Sequence, residues 1–142
     1  MISRKKIEVR FNETDQMGVV YHANYIIWCE LGRTQFMKDL GYSLSDFDEK
    51  NLMFPIRNVN VDYLVPCYYG ETIIVETQIH SMNPVKFVYY HEIKDEEGTI
   101  KAKAYTTCIS VDKNTFKIKK LNHAAPEAYQ AYLSVYEQSK TK

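Results

Sequence analysis

Residues 12–25, Asn-Glu-Thr-Asp-Gln-Met-Gly-Val-Val-Tyr-His-Ala-Asn-Tyr, decide the fold because they lead from a predicted strand into the longest helical pattern. Before them, residues 6–11 alternate apolar and charged side chains with a period of two, which predicts a strand. After them, apolar positions recur at spacings of three and four, which predicts one face of a helix. Asp15 is therefore expected on a loop just ahead of a helix start, where unpaired N–H groups carry a partial positive charge.

The long helix is predicted from about residue 23 to residue 40, because Gly41 is a natural left-handed cap. Gly32 lies in the middle of its apolar face and costs about 1 kcal/mol of helix propensity, so we expect it to permit close approach to a sheet. Ser43 opens a predicted capping box and a short second helix that ends near Asn51. Pro126 is expected at the first position of a C-terminal helix.

From Phe54 onward the apolar period changes to two. The pattern predicts four strands joined by short turns: one from residue 54 that ends at residues 65–70, one from residue 71 to the break at 83–84, and two over residues 86–93 and 99–111. Small side chains of the last strand are expected to face the helix. The chain is thus predicted to be an α+β domain over residues 1–142, with an antiparallel sheet curled around one buried helix.

Composition disfavours several classes of function. Eighteen basic and eighteen acidic residues cancel, so no global field favours binding to nucleic acid or to an anionic membrane surface. No stretch approaches the ~18 consecutive apolar residues of a membrane span. Three scattered cysteines outside any CxxC arrangement suggest reduced thiols and a cytoplasmic protein. His80, His91 and His123 lie on separate elements without ligand partners at metal spacing, so no metal site is predicted.

One face of the predicted sheet is unusually apolar for a surface in contact with water. Ile74, Val88 and Tyr90 alternate with the core-facing positions of their strands. Such a face, together with the unpaired edges of a sheet, requires cover. The sequence therefore predicts self-association.

The ordered motifs resemble one enzyme family. Residues 13–25, followed by Trp28, Cys29, Glu30 and Arg33, resemble the hotdog-fold acyl-CoA thioesterases of the 4-hydroxybenzoyl-CoA thioesterase group, the YbgC-like branch in particular. Residues 61–66 with a glycine behind them, residues 90–93 and residues 111–112 agree in order, so the match covers roughly residues 5–122. The resemblance implies a hotdog fold, dimers with a continuous sheet and often homotetramers. It also implies hydrolysis of a thioester without metal or cofactor.

A thioester carbonyl needs a base or nucleophile on one side and hydrogen-bond donors for its oxygen on the other. The resemblance gives Asp15 the role of general base or nucleophile, which the sequence leaves open. The backbone N–H at or beside His22 would be the oxyanion contact, and the His22 side chain either takes part in catalysis or positions Asp15 or the substrate. The other predicted substrate contacts are Gly18, which keeps the loop slim, and Val20, Tyr21, Tyr25 and Lys86. Lys117, Lys119 and Lys120 join Lys86 as alternative contacts for coenzyme A phosphates, or are ordinary solvated lysines.

The same residues also have possible roles that are purely structural. Asp15 could merely turn the loop or cap the helix, His22 could be a hydrogen-bonded structural histidine, and Glu13 is expected to be a solvated or loop-stabilising acid. Phe11 stands where YbgC-like members usually have a tyrosine, so a hydroxyl near the carboxylate is absent. The rival classes are a non-catalytic acyl-CoA or aromatic-ligand binding module and a hotdog dehydratase acting on acyl carrier protein. The acyl group, aliphatic or aromatic such as dihydroxynaphthoyl, stays open.

Overall fold

The computed structural model describes residues 1–140, in which one large sheet wraps a long helix. The strands are β1 (Ser3–Glu8), β2 (Leu52–Met53), β3 (Ile56–Tyr63), β4 (Thr72–Met82), β5 (Lys86–Asp95), β6 (Ile100–Ile109) and β7 (Val111–Asp112). The helices are α1 (His22–Asp39), α2 (Leu44–Asp48), α3 (Leu121–Ala124) and α4 (Pro126–Lys140). A 3₁₀ turn at Phe11–Glu13 follows β1.

Five strands form an antiparallel sheet in the order β1-β4-β5-β6-β3. Strands β4, β5 and β6 pair as consecutive antiparallel hairpins. Ile73 of β4 lies opposite Asp95 of β5, and Ile93 of β5 lies opposite Ala102 of β6. Strands β1 and β3 are the two edges, and β2 pairs separately with β7. The predicted α+β arrangement, a curled antiparallel sheet around one long helix with a C-terminal helix, is confirmed.

Helix α1 packs against the sheet through the face that the spacing predicted. Its buried residues are Tyr25, Trp28, Cys29, Gly32 and Phe36. A Cβ atom added at Gly32 would lie 2.4 Å from Thr77 Oγ1 and 2.9 Å from Val75 Cγ1. The helix runs unbroken past this position. Gly32 therefore allows α1 to approach β4 closely, as predicted, and does not kink the helix.

The inner face of the sheet follows the predicted alternation. Ile73, Val75, Thr77 and Ile79 of β4 are all buried. In β6 the small residues face α1, since Ala102 and Ala104 are fully buried in one apolar cluster with Trp28 and Cys29. The sheet can therefore approach the helix closely at β4 and at β6, the strands on either side of β5.

Several predicted boundaries are wrong for local reasons. The first strand ends at Glu8 and not at Phe11, because the Glu13 carboxylate accepts a hydrogen bond from the Arg10 N–H at 2.8 Å and closes a 3₁₀ turn. Helix α2 has the predicted capping box at Ser43 but ends at Asp48, before Asn51 takes a left-handed φ of 56°. The strand predicted from residue 54 begins at Ile56, and β2 was not predicted. The strand predicted over residues 99–111 divides into β6 and β7.

The outer face of the sheet is less apolar than predicted. Ile74, Val88 and Tyr90 are only partly buried there, but an ionic network lies beside them: Lys94 Nζ is 2.7 Å from Glu76 Oε1, and Glu76 also pairs with Arg4 at 2.8 Å. Among the exposed apolar side chains are several on α1 and around β3: Ile26, Ile27, Leu31, Ile56, Tyr63, Leu64 and Val65. Within residues 1–140, no helix has the length and apolar character required to span a bilayer.

Candidate active site

A short hairpin carries Asp15 to the start of α1. Thr14 and Val20 form an antiparallel bridge, and the Asp15 N–H donates to the Val19 carbonyl at 2.9 Å. The Gly18 N–H donates to the Asp15 carbonyl at 3.0 Å, and Gly18 has a φ of +82°. The turn requires a glycine there because other residues rarely adopt this conformation. The bridge leaves only Tyr21 between the hairpin and the first residue of α1.

The Asp15 carboxylate is partly committed to this turn. Its Oδ1 atom accepts a hydrogen bond from the Met17 N–H at 2.8 Å. Within residues 1–140, Oδ2 receives no hydrogen bond, and the residue is half-buried. Asp15 therefore does turn the loop, but it does not cap α1, whose N-cap is Tyr21 without a side-chain cap bond. One carboxylate oxygen remains able to accept a proton or to attack a carbonyl.

The start of α1 offers unpaired donors. In the described part of the chain, the backbone N–H groups of His22 and Ala23 have no acceptor, while the Tyr21 and Asn24 N–H groups donate to Glu13 and Tyr21 carbonyls at 2.8 and 2.9 Å. Unpaired first-turn N–H groups and the helix dipole together favour a negatively charged oxygen. The chain path through the Thr14–Val20 bridge bounds the separation of the Asp15 and His22 Cα atoms to less than about 17 Å. The carboxylate and the unpaired donors therefore lie at the same end of α1.

Glu13 fixes the hairpin to the helix. Its side chain is buried, Oε2 accepts from Trp28 Nε1 at 2.9 Å, and Oε1 accepts from the Arg10 N–H at 2.8 Å. Burial alone would raise the pKa of Glu13, but the hydrogen bonds from Arg10 and Trp28 outweigh it and lower the pKa. Of the two predicted roles, loop stabilisation is therefore right and a solvated acid is wrong. The sequence did not reveal this contact because Trp28 lies fifteen positions further along the chain.

His22 and two tyrosines form an aromatic surface at the helix start. The Tyr63 hydroxyl donates to the His22 carbonyl at 2.8 Å, and the His22 ring centre lies 4.4 Å from that of Tyr21 and 6.3 Å from that of Tyr63. The His22 side chain is exposed, and within residues 1–140 it makes no hydrogen bond to Asp15. Tyr63 was not among the predicted site residues, although it belongs to the segment at residues 61–66 that carried part of the resemblance.

The other predicted substrate contacts occupy different positions. Tyr21 is exposed beside His22, whereas Val20 and Tyr25 are buried in the core, and the Tyr25 hydroxyl accepts from the Cys67 N–H at 3.3 Å. Burial raises the pKa of Tyr25 far above its usual range, so this phenol stays protonated. The hairpin lies at the Thr72 end of β4, because the neighbouring Val9 N–H donates to the Glu71 carbonyl.

Lys86 lies at the opposite end of the sheet from this hairpin. It begins β5 after the turn that follows β4. Ten residue steps along β4, at about 3.3 Å each, separate the two ends by roughly 30 Å. Within one chain, Lys86 is therefore not brought together with Asp15. Lys119 is likewise committed elsewhere, since its Nζ donates to the Lys50 carbonyl at 2.8 Å.

The arrangement is suited to attack on an acyl carbon. A carboxylate with one free oxygen can act as base or nucleophile, and unpaired N–H donors can stabilise the oxygen that becomes negative. Within residues 1–140, no three His, Cys, Asp or Glu side chains cluster as metal ligands do.

A curled antiparallel sheet wrapped around one long helix defines the hotdog class of proteins, and this chain carries an acidic hairpin at the start of that helix. The sequence model of the thioesterase-like superfamily matches residues 9–132. The chain belongs to this superfamily, and the family resemblance stated from its motifs is confirmed.

Relatives agree with this assignment. YneP of Bacillus subtilis (strain 168), named as a candidate acyl-CoA thioesterase, is 45% identical over 131 residues, which are 92% of this chain and 95% of YneP. The acyl-CoA thioester hydrolase YbgC of Escherichia coli O6:H1 is 28% identical over 109 residues, covering 77% of this chain and 81% of YbgC. The crystal structure of a DHNA-CoA thioesterase from Staphylococcus aureus superposes with a TM-score of 0.95 and 32% identity, over 99% of this chain and 95% of that one.

Proposed function

We propose that this protein is an acyl-CoA thioesterase in which Asp15 acts on the thioester carbonyl and the start of α1 stabilises its oxygen. The hairpin carries the proposal, since it holds a carboxylate with a free oxygen next to a helix whose first N–H groups are unpaired. Relatives named as thioesterases support the reaction class. The products are a free carboxylic acid and coenzyme A, and no metal or cofactor takes part.

The proposed reaction assigns a role to each group at the hairpin. Asp15 either removes a proton from water as the water attacks the carbonyl or attacks the acyl carbon itself. The N–H groups of His22 and Ala23 donate to the oxyanion, whose charge the helix dipole stabilises. Tyr63 and Glu13 position this region, because they hold the His22 carbonyl and the hairpin in place. Gly18 keeps the turn narrow, Tyr21 is a wall for the acyl group, and Lys86 of the same chain lies at the far end of the sheet from Asp15.

The first experiment replaces Asp15 with asparagine. Asp15→Asn keeps an oxygen that can accept the Met17 hydrogen bond but removes the basic carboxylate, so the turn should survive. Release of coenzyme A from the best substrate, followed with a thiol reagent across an acyl-CoA panel, should fall by about 10² to 10⁴-fold. Glu97→Gln, at an exposed hairpin acid, is the matched control and should change the rate little. Asp15→Asn protein that is folded but retains more than about a third of the wild-type rate would contradict the assignment.

We further propose that the protein is a homodimer or homotetramer with its sites near subunit boundaries. Strand β3 is a sheet edge with alternating apolar side chains, and Ile26, Ile27 and Leu31 lie exposed on α1. Two copies that pair β3 antiparallel about its midpoint continue the sheet and cover this surface. In that arrangement Tyr63, which contacts His22, lies opposite Ile56 of the second copy.

A matched pair of isoleucine variants tests the interface. Ile27→Glu, on the exposed face of α1, should shift the protein toward monomer, because a charge in an apolar interface stays unpaired. Ile118→Glu alters a residue that is also exposed but lies far along the chain, near β7, and should leave the assembly unchanged. Light scattering at micromolar concentration measures both. A wild-type protein that is only monomeric would exclude the interface.

We also place the activity in the cytoplasm. The three cysteines are all buried free thiols, which suits a reducing compartment.

A further inference from the structure

Lys101 of β6 differs from every other lysine and arginine within residues 1–140, because it alone is buried, with 6% of its surface exposed. In the alternation of β6 it belongs to the same face as Lys103, whose side chain is exposed. The pairing with β5 passes from residue 102 directly to residue 100 and leaves Lys101 without a partner. Lys101 is therefore the extra residue of a β-bulge, and a bulge can turn a side chain away from the face that alternation predicts.

The Lys101 side chain holds the β3–β4 loop, which consists of residues 64–71. Its Nζ atom donates to the Pro66 carbonyl at 3.1 Å and lies 3.2 Å from Glu71 Oε2. The other carboxylate oxygen of Glu71 accepts from the Tyr68 N–H at 2.7 Å. The backbone carbonyl of Lys101 also accepts from the N–H groups of residues 64 and 65, at 2.9 and 3.0 Å. One residue thus ties this loop near its start and at its end.

The β3–β4 loop in turn holds the hairpin that carries Asp15. The Val20 N–H donates to the Cys67 carbonyl at 2.8 Å, and Val20 is the residue that bridges to Thr14. Because Pro66 precedes Cys67, the ammonium binds the carbonyl next to the one that holds the hairpin. A shift of the Pro66 carbonyl would therefore move the acceptor of the Val20 N–H.

Stability alone does not account for a lysine at this position. Burial removes water from the ammonium, and replacing a buried ion pair with apolar side chains of similar volume is often neutral or stabilising. A buried ammonium with two fixed partners does, however, restrict the β3–β4 loop to the arrangement in which both partners reach it. The observed geometry thus suits a role in holding the loop in one conformation.

We infer that Lys101 is a positioning residue for the thioesterase reaction. It acts through the β3–β4 loop, which holds Val20 and so keeps the Asp15 carboxylate at the start of α1. Lys101 acts on this loop and not on the substrate. The inference rests on the proposed function, because it requires that Asp15 takes part in the reaction.

Amide hydrogen exchange measured by NMR tests the positioning without any substrate. Lys101→Met removes the ammonium, so exchange of the Val20 N–H should become about tenfold faster or more, while the amides of β5 exchange as in the wild type. Lys103→Met is the matched control on the same strand, and it should leave the Val20 amide unchanged. Unchanged exchange at Val20 in folded Lys101→Met, or equal acceleration throughout β5, would overturn the inference.

Glu71→Gln provides a second variant if Lys101→Met does not fold. Glutamine keeps an oxygen for the Tyr68 N–H but removes the charge beside Lys101 Nζ. The Glu71 side chain is 26% exposed, so this substitution is the milder one. Exchange at Val20 should rise by about threefold to tenfold. If Glu71→Gln is the only variant that folds, unchanged exchange at Val20 would overturn the inference.

Kinetics of coenzyme A release test whether the position of the hairpin matters for the reaction. In folded Lys101→Met, kcat should fall by about tenfold to a hundredfold while KM changes by less than about threefold, because a small displacement of the carboxylate disturbs the reacting geometry. Lys103→Met should leave both constants unchanged. An unchanged kcat in folded Lys101→Met would overturn the inference.

The double variant with Asp15→Asn separates positioning from a general structural effect. If Lys101 acts through Asp15, Lys101→Met should lower kcat no further once the carboxylate is gone. An equal loss in both backgrounds would overturn the inference. Asp15→Asn protein that keeps the wild-type rate would instead overturn the proposed function, and it would do so whatever the exchange rate at Val20.

Discussion

Gly32→Ala changes the free energy of unfolding through two effects of opposite sign. Alanine is favoured over glycine inside a helix by about 1 kcal/mol, so an exposed position would be stabilised. At Gly32 the new methyl group would lie 2.4 Å from Thr77 Oγ1, 2.9 Å from Val75 Cγ1 and 3.4 Å from His91 Nδ1. The first two distances are shorter than van der Waals contact, so the helix or the strand must move.

The cost of that movement exceeds the gain in helix propensity. Overpacking a core by one methyl group costs about 1–3 kcal/mol. Rotating the Thr77 hydroxyl away would also break its 2.9 Å hydrogen bond to His91 Nδ1, and an unsatisfied buried polar group costs about 1–3 kcal/mol. After the gain of about 1 kcal/mol is subtracted, Gly32→Ala should lower the free energy of unfolding by about 1–5 kcal/mol.

Urea denaturation of Gly32→Ala, Thr77→Ala and the double variant measures this balance. Thr77→Ala removes the closest clashing atom, so Gly32→Ala should cost less in that background than in the wild type. A Gly32→Ala protein as stable as the wild type would refute the argument from close approach. So would equal costs of Gly32→Ala in the two backgrounds, because the clash with Thr77 would then carry no energy.

Three further predictions concern buried or neighbouring groups. Burial and the charge of Arg33 lower the pKa of His91 from 6.5 to about 3, so the folded protein keeps this side chain neutral and loses stability as the pH falls below 6.5. Urea denaturation should show that the free energy of unfolding is about 2 kcal/mol lower at pH 5 than at neutral pH. The His91→Gln protein should lack this part of the pH dependence. Glu13→Gln should lower the free energy of unfolding by about 1–3 kcal/mol in the same assay, because an amide has one acceptor oxygen and leaves either the Trp28 N–H or the Arg10 N–H without a partner. Phe11→Tyr alters a ring that is 74% exposed, so the free energy of unfolding should change by less than about 0.5 kcal/mol. If the added hydroxyl assists the carboxylate, the rate of coenzyme A release should rise only in protein that retains Asp15.

Periodicity predicted the fold well where a face is buried. The face of α1, the alternation of β4 and the small residues of β6 all follow from the spacing of apolar side chains, because burial imposes that spacing. Boundaries were predicted less well. Strand β1 ends where the Glu13 carboxylate accepts a backbone hydrogen bond and closes a turn. The alternation of apolar and charged residues carries no information about such a bond.

The candidate site was predictable only in part. Asp15 and the helix start are local in sequence, so one motif contains both. Their supports are not local: Trp28 reaches Glu13 across fifteen positions, and the Tyr63 hydroxyl reaches the His22 carbonyl across forty-one.

Trp28 gives the protein an internal optical probe. It is the only tryptophan in the chain, it is fully buried, and its indole N–H is bonded to the acid that holds the Asp15 hairpin. Indole emission shifts to longer wavelength when the ring meets water. Selective excitation of this one side chain, at the red edge beyond tyrosine absorption, would therefore report detachment of the hairpin separately from global unfolding. A time-resolved trace recorded as acyl-CoA is mixed with the protein would show whether the hairpin opens to admit substrate.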